Sequence, residues 1–542
     1  MMTIRDTTFE LLRKLNITTI FGNPGSTEET FLQDFPSDFR YVQVLQEASA
    51  VAAADAYAQA TQSVGLVNVH TAAGMCNAMS NIFTASMNKT PLIITAGNQT
   101  REMLLMEPWL TNTHPEELPK PFVKWSYEPK RAEDVPAAFM RAYAMAIQEP
   151  AGPVFLSIPL DDWNQEFTGE LVVRSVANKV AADPERLKQF ADKLSQAKNP
   201  VLIYGADISK HDGWKEAIAL AEKMQVPVWA APASERTPFP ENHPLYAGGL
   251  PFATQPLSEK LQGHDVALII GAPVFRYYPY VAGDYLPEGL ALLHITNDPA
   301  EAARAPVGDS LISNPVLALS SLIEMVTVPE NRQQPVIHKL PHHMAPHAVA
   351  ENTQTTDTVL TALDVFKTVR KAVPENAILM EESPSNIAEL HTAWPVTFHD
   401  GFYTAASGSL GWNVPAAVGI ALAERDNGKN RPVVAMIGDG SLQYAIQGMW
   451  TANQQRLPII YIVPVNREYA ILKAFSECQD TPNVPGLDIP DLDIVSLAKG
   501  YGCIGKRAET TDQLFNFCLE ALKQNRPTVI EVPISKVIPS LI

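Results

Sequence analysis

Short apolar runs alternate with helix-like stretches along most of this chain, and this rhythm limits the possible fold more than any other feature. Near the N-terminus the apolar runs cover 18–21, 41–45, 65–69 and 92–96, with an alanine-rich helical pattern at 48–61 among them. Such alternation is typical of βαβ units, which build parallel sheets. It predicts an α/β fold.

The rhythm occurs in three successive regions, which fits about three domains for 542 residues. The second region begins near residue 200 and includes 265–274 and 290–299, without the GxGxxG turn of dinucleotide-binding domains. The third opens near Thr358. Its strand candidates are 377–380, 433–437, 459–463 and 529–532.

The stretch 326–357 is rich in Pro, His, Gln and Thr and lacks periodicity, which predicts an interdomain linker. His342, His343 and His347 lie in it. A metal site is one interpretation, but solvated linker histidines are favoured because structural metal sites need a held geometry. We predict domains at 1–180, 181–340 and 341–542.

Composition excludes several classes of protein. The formal net charge is −18 and no basic run stands out, which argues against nucleic acid or anionic membranes as partners. Cys76, Cys478, Cys503 and Cys518 are scattered without metal-finger spacing, as expected of free thiols in a reducing compartment. With no signal-like apolar stretch and no run of about 18 apolar residues, we expect a cytoplasmic protein.

The most specific motif is the segment RPVVAMIGDGSLQYAIQGMWTANQQRLPIIYIVPVNREY. An apolar strand leads into Gly438, Asp439 and Gly440, a helix starting near Ser441 is predicted next, and a second strand ends at Asn466. Parallel neighbouring strands bring Asp439 and Asn466 to one carboxyl edge. Both then offer an oxygen to one hard cation.

Mg²⁺ prefers near-octahedral oxygen ligands and commonly retains a substrate phosphate. The backbone carbonyl of Glu468 would be a third protein ligand, while the glycines and the helix N-terminus would receive phosphates. A GDG tripeptide alone is explained by a tight turn, but the whole arrangement favours a cofactor site. The segment resembles the cofactor motif of thiamine diphosphate enzymes, except that Val465 replaces the first of two asparagines.

Three polar residues follow successive strand candidates in the N-terminal region: Ser26, Glu47 and His70. Taken singly, Glu47 is explained as an acid at a helix N-terminus and His70 as a half-buried structural histidine. Because strand ends of a parallel sheet share one edge, the three together predict a cleft.

Thiamine chemistry gives the carboxylic acid a purpose. The cofactor loses its thiazolium proton to its own imino group, and that form needs an acid on the opposite pyrimidine nitrogen. Glu47 is the candidate. A large apolar side chain must also bend the cofactor, and Leu410, just before a helix, fits this role, although a plain core leucine is the alternative.

Eight segments in order extend the resemblance over nearly the whole chain. They are GNPGS, LQEA, the HTAAG segment through Asn77-Ala78-Met79, VKWSYEP, GAPVFRY, DPAEAARAP, the GDG segment and NVPGLDIP. Together they resemble the benzoylformate decarboxylases. The resemblance implies three doubly wound parallel-sheet domains (pyrimidine-binding, central and diphosphate-binding) and a homotetramer of dimers in which two chains share each site.

The resemblance also implies roles for individual residues. Ser26 would contact the substrate carboxylate, His70 would transfer protons, and Asp439, Asn466 and Glu468 would hold Mg²⁺. The cofactor-binding set is Glu47, Ser385, Gly408, Leu410, Gly438, Asp439, Gly440, Ser441, Asn466 and Tyr469. The substrate pocket is Asn23, Pro24, Gly25, Ser26, Trp109, Leu110, Thr404 and Phe475.

The departures from the family concern the substrate. Tyr278 stands where the family has a second catalytic histidine, and tyrosine is the poorer acid–base group near neutral pH. Trp109 replaces a leucine and Thr404 a phenylalanine, so the pocket differs from one shaped for benzoylformate. Methylene-scale changes in an apolar pocket alter discrimination by only ~1–3 kcal/mol each.

The expected reaction is non-oxidative decarboxylation of an aromatic 2-oxo acid to an aldehyde and CO₂. The alternatives within the cofactor class are a carboligase or lyase of 2-hydroxy ketones and an acetolactate synthase-like transferase. Two further rivals are a flavin-dependent oxidase of this architecture and a non-catalytic binding protein. The first lacks a clear flavin fingerprint, and the second would be expected to lose Glu47 or Asp439.

Overall fold

The computed structural model describes residues 2–329 and 359–541. The predicted linker from residue 330 onward, with its three histidines, lies outside the described residues. Within the described part of the chain, no helix combines the length and the apolar character that crossing a bilayer requires.

The N-terminal domain is a six-stranded parallel sheet of order β2-β1-β3-β4-β6-β5. Its central strands are buried on both faces, which explains their continuous apolar runs. Its strands are β1 (Thr19–Gly22), β2 (Arg40–Gln43), β3 (Gly65–Val69), β4 (Leu92–Asn98), β5 (Trp125–Tyr127) and β6 (Val154–Pro159). Its helices are α1 (Ile4–Lys14), α2 (Glu29–Leu32), α3 (Glu47–Thr61), α4 (Thr71–Met87) and α5 (Val135–Ile147).

The central domain repeats this architecture, with strand order β12-β11-β10-β7-β8-β9. Its strands are β7 (Val201–Tyr204), β8 (Val228–Ala230), β9 (Tyr246–Gly249), β10 (Val266–Ile270), β11 (Ala291–Thr296) and β12 (Asp309–Ile312). Its helices are α6 (Pro184–Gln196), α7 (Ala206–Lys210), α8 (Trp214–Met224), α9 (Thr254–Lys260), α10 (Pro299–Arg304) and α11 (Pro315–Met325).

The C-terminal domain is a third parallel sheet, of order β14-β13-β15-β16-β18-β17. Its strands are β13 (Ile378–Glu382), β14 (Phe402–Tyr403), β15 (Val433–Ile437), β16 (Ile460–Val465), β17 (Ile504–Arg507) and β18 (Thr528–Pro533). Its helices are α12 (Ala362–Ala372), α13 (Ile387–Ala393), α14 (Asn413–Asp426), α15 (Asp439–Leu442), α16 (Gly448–Gln454), α17 (Ala470–Cys478), α18 (Ile494–Gly500) and α19 (Thr511–Ala521).

The prediction of three parallel-sheet α/β units is confirmed, and the four strands predicted in the third region match β13, β15, β16 and β18. The single helix predicted after the GDG motif is wrong. Two short helices, α15 and α16, stand there, and α15 begins at Asp439 rather than near Ser441. The break lets Gly448 approach Pro415 so closely that an added Cβ would lie 2.9 Å from its backbone nitrogen.

The N- and C-terminal domains pack together through α3 and α14, in one continuous apolar core. The alanine-rich sequence of α3 permits a very close approach, since a Cβ added at Gly419 would lie 2.1 Å from the Ala53 carbonyl oxygen. The indole of Trp412 also donates to the buried Asp55 carboxylate at 2.8 Å. These contacts hold α3, and therefore Glu47 at its start, in a defined position.

Candidate functional site

A cleft opens at the carboxyl edge of the C-terminal sheet, with a volume of about 390 Å³ including its mouth. Strand ends of parallel sheets commonly form such ligand sites. It is lined by Ser383, Pro384, Ser385, Asn386, Leu410, Gly438, Asp439, Gly440, Ser441, Pro464, Asn466, Glu468, Tyr469 and Ile471. The structure thus brings together every C-terminal residue predicted for cofactor or metal except Gly408, which lies two positions before Leu410.

The residues predicted to hold the metal share one wall of this cleft. Asp439 follows β15 and accepts from the backbone amide of Arg467 at 2.8 Å, which ties it to the turn after β16. The Asn466 side-chain oxygen accepts from the Glu468 amide at 3.1 Å. The Glu468 carboxylate accepts from Lys473 at 2.6 Å, so its backbone carbonyl is the group that it can offer to a cation.

The residues of this wall are chemically suited to bind a divalent cation together with a diphosphate. Burial raises the pKa of Asp439, and a divalent cation nearby would favour its ionised form. Gly440 packs so tightly that an added Cβ would lie 2.5 Å from the Tyr469 ring. Among the described residues no group of three or more His, Cys, Asp or Glu side chains could hold a metal, but the predicted set uses an amide and a carbonyl, as Mg²⁺ sites can.

In the N-terminal domain Glu47 is buried at the first position of α3. Its two carboxylate oxygens accept hydrogen bonds from the side-chain amides of Asn23, at 3.2 Å, and Asn77, at 3.0 Å. These amides come from the turn after β1 and from α4, so three elements converge on this carboxylate. The carboxylate is therefore held in one orientation.

His70 lies at the same sheet edge and pairs with a residue that the sequence analysis missed. Its Nδ1 is 2.8 Å from Glu28, whose completely buried carboxylate also accepts from the amides of Gly25 at 3.0 Å and Gly97 at 2.7 Å. The hydrogen bond that His70 donates to the Glu28 carboxylate raises the pKa of His70. Glu28 stands two residues after Ser26, but the adjacent Glu29 shares this position in the pattern, so the sequence gives no signal that separates the two.

The geometry around His70 depends on close packing. A Cβ added at Gly25 would lie 2.0 Å from the imidazole Nδ1, so only glycine fits there. Thr71, the next residue, has φ = 43°, a strained value for a β-branched residue. Pro24 and Ser26, in the same turn, are exposed.

The residues predicted for the substrate pocket do not all meet within one chain. Tyr278, from the central domain, packs on Phe475 of α17 with ring centroids 4.6 Å apart. Thr404 does not line the C-terminal cleft, and its hydroxyl donates to the Glu381 backbone carbonyl at 2.8 Å. Trp109 is 93% exposed and Leu110 is half exposed, so the loop that carries them projects into solvent.

The two halves of the predicted site are also separate. The residues that line the C-terminal cleft all fall between 383 and 471, and none of them comes from the N-terminal domain that carries Glu47 and His70. Within the described part of one chain, Glu47 and the C-terminal cleft therefore do not form a single pocket.

Comparison with known proteins places this architecture in a family. The chain matches the models of the N-terminal, central and C-terminal domains of thiamine pyrophosphate enzymes over residues 2–118, 187–322 and 387–532. Thiamine pyrophosphate is another name for thiamine diphosphate.

The chain is 40% identical to benzoylformate decarboxylase of Pseudomonas aeruginosa, over 99% of this chain and 100% of the relative. The structure is similar to benzoylformate decarboxylase from Polynucleobacter necessarius, with 50% identity, a TM-score of 0.95 and complete coverage of both chains. It is also similar to a thiamine diphosphate-dependent 4-hydroxybenzoylformate decarboxylase of Rhodococcus jostii, with 39% identity, a TM-score of 0.92 and coverage of 99% and 100%. The chain belongs to the thiamine pyrophosphate enzyme family, the family that includes benzoylformate decarboxylase.

Proposed function

We propose that this protein is a decarboxylase that converts an aromatic 2-oxo acid to the aldehyde and CO₂, with thiamine diphosphate and Mg²⁺ as cofactors. One observation carries the proposal. The C-terminal cleft gathers the residues predicted to bind the diphosphate and the metal, while the N-terminal edge carries an oriented carboxylate, Glu47, and a hydrogen-bonded pair, His70 and Glu28. The full-length similarity to benzoylformate decarboxylases supports the same reaction class.

The residues present fit the cofactor. Gly438, Gly440 and Ser441 would receive the diphosphate, Asp439, Asn466 and the Glu468 carbonyl would hold Mg²⁺, and Leu410 would support the ring pair. When bound, thiamine diphosphate supplies an electron sink for the electron pair left behind as CO₂ departs.

Glu47 would hold a proton opposite the cofactor's pyrimidine ring, where Asn23 and Asn77 fix its direction. Ser26 would orient the substrate carboxylate. His70 would donate the proton that replaces CO₂ on the substrate carbon, and Glu28 keeps this proton available by stabilising the imidazolium.

We further propose that two copies of the chain complete each active site and that the enzyme is a homotetramer. The proposal is supported by the separation of Glu47 from the cleft and by the strongly exposed side chains of Leu105, Met106 and Trp109. Large apolar side chains exposed together mark surfaces that are covered in an assembly.

The contact between Tyr278 and Phe475 favours a second candidate activity. A tyrosine ring, rather than an imidazole, packs on the predicted pocket wall. With a poorer proton donor at this position, the carbon that has lost CO₂ is protonated more slowly. It can then attack an aldehyde before it is protonated. A carboligase that makes 2-hydroxy ketones is therefore the second candidate.

The test is to supply purified protein with thiamine diphosphate, Mg²⁺ and a panel of aromatic, branched and short 2-oxo acids, with and without an aldehyde acceptor. We expect aldehyde and CO₂ from an aromatic acid without acceptor. Hydroxy ketone formed only with acceptor would establish the carboligase, and failure of the protein to bind the cofactor would refute both activities.

A further inference from the structure

Glu382 is the last residue of β13 and contacts the backbone of two segments next to the cleft. Its backbone carbonyl accepts from the Gly438 amide at 3.0 Å, at the start of the diphosphate turn. The four residues that follow it, 383–386, line the cleft. Glu382 itself is buried and does not line the cleft.

The carboxylate of Glu382 gathers three backbone amides. It accepts from Gly411 at 2.7 Å, from Trp412 at 3.0 Å and from Asn413 at 2.7 Å. These amides lie at the N-terminus of α14, where backbone N–H groups have no acceptor within the helix, and the N-cap residue provides no side-chain acceptor. They also follow Leu410 directly, so the carboxylate fixes the backbone next to the predicted cofactor support.

Two further polar contacts of this loop come from the N-terminal domain. Asp55 binds the Trp412 indole at 2.8 Å, and the Asn81 amide donates to the Gly411 carbonyl at 3.2 Å. Gly411 has φ = 98°, a backbone conformation suited to glycine. The loop is therefore bent sharply and held by both domains, and in the C-terminal domain the Glu382 carboxylate binds three of its backbone amides.

We propose that Glu382 is a positioning residue. Its carboxylate fixes the backbone that follows Leu410 and so holds the leucine side chain where it supports the bent cofactor. The inference rests on the function proposed above. The inference separates binding of the diphosphate from support of the cofactor rings. The diphosphate part uses 438–441, which Glu382 contacts only through its backbone carbonyl, whereas support of the rings depends on the Glu382 side chain.

The experiment compares Glu382→Gln with a matched control, Glu424→Gln. Glu424, like Glu382, is a buried glutamate. It lies on α14 and accepts from Arg431 at 2.6 and 2.8 Å, away from the cleft. Affinity would be measured by calorimetry for thiamine diphosphate with Mg²⁺ and, separately, for inorganic diphosphate with Mg²⁺. The exchange of the thiazolium proton with deuterium, followed by NMR after acid quench, reports cofactor activation without any substrate.

We expect Glu382→Gln to weaken thiamine diphosphate binding or slow proton exchange at least about tenfold, because an amide nitrogen cannot accept the backbone hydrogen bonds. Affinity for inorganic diphosphate should stay within about twofold of wild type. Glu424→Gln should change neither. In a Leu410→Ala background the effect of Glu382→Gln should disappear, since residues that act through one another are not additive.

If Glu382→Gln does not fold, Glu382→Asp replaces it, with a smaller loss in the same pattern. Equal effects of Glu382→Gln and Glu424→Gln, or parallel loss of both affinities, would overturn the inference and leave the proposed function standing. A wild-type protein that does not bind thiamine diphosphate would overturn both.

Discussion

Replacement of Glu28 by glutamine tests whether the His70–Glu28 pair supplies the product proton. One Glu28 oxygen accepts from the Gly97 amide and Thr27 hydroxyl, and the other accepts from the Gly25 amide and faces His70 Nδ1. A glutamine amide has one accepting oxygen. In either orientation its NH₂ group opposes a backbone N–H, at a cost of about 1–3 kcal/mol in folding free energy.

The effect on His70 has a definite sign. The hydrogen bond that His70 donates to Glu28 raises the pKa of His70, while burial lowers it. Without the Glu28 carboxylate, its upward effect on the pKa of His70 is lost and the downward effect of burial remains. The protonated fraction of His70 at neutral pH therefore falls. The stability contributed by the pair is fully present below the unfolded histidine pKa of about 6.5 and is lost as pH rises through the higher folded pKa.

We therefore expect Glu28→Gln to lower kcat for aldehyde release by roughly 10²-fold, the lower end of the range for general acid catalysis, because His70 stays in place. The alkaline decline of kcat should also begin at a lower pH. The assay is aldehyde release against pH for the most active aromatic acid, with NMR titration of His70 beside it.

Glu29→Gln is the control, since Glu29 is exposed one residue away. An unchanged alkaline limb in Glu28→Gln, or an equal shift in the control, would refute the role assigned to the pair.

Three further predictions concern the remaining site residues. Glu47→Gln should fold normally by circular dichroism yet lose at least about 10²-fold in turnover; near-normal activity would contradict the activation role. Asp439→Asn should raise the Mg²⁺ concentration for half-maximal activity at least about tenfold, because it removes the carboxylate among the proposed ligands. An unchanged Mg²⁺ concentration would show that Asp439 is not a metal ligand. Tyr278→His should increase the ratio of aldehyde to hydroxy ketone several-fold in product analysis, since imidazole is the better proton donor near neutral pH; a constant ratio would assign Tyr278 to packing alone.

The substrate question depends on residues that contact one another only in the folded protein. Tyr278 and Phe475 are distant in sequence, yet their rings touch. Thr404, expected in the pocket, does not line the C-terminal cleft and donates to the backbone carbonyl of Glu381. The sequence identified these positions by resemblance, but their surroundings depend on how three domains pack.

The α/β fold and the C-terminal half of the site were predictable because both follow from local order in the sequence. Strands buried on both faces need continuous apolar runs, as at 433–437 and 460–465, and parallel strands place the residues after them at one edge. That rule alone brings Asp439 and Asn466 together.

The tertiary structure was needed wherever a side chain is defined by distant partners. Glu28 could not be distinguished from Glu29 by pattern, because its burial depends on Gly25, Gly97 and His70 arriving from three separate strand ends. Glu382 looked like the end of a strand, yet its carboxylate caps a helix about thirty residues later. Periodicity reports which face of an element is buried, whereas such hydrogen bonds depend on loop paths and domain packing that no local pattern records.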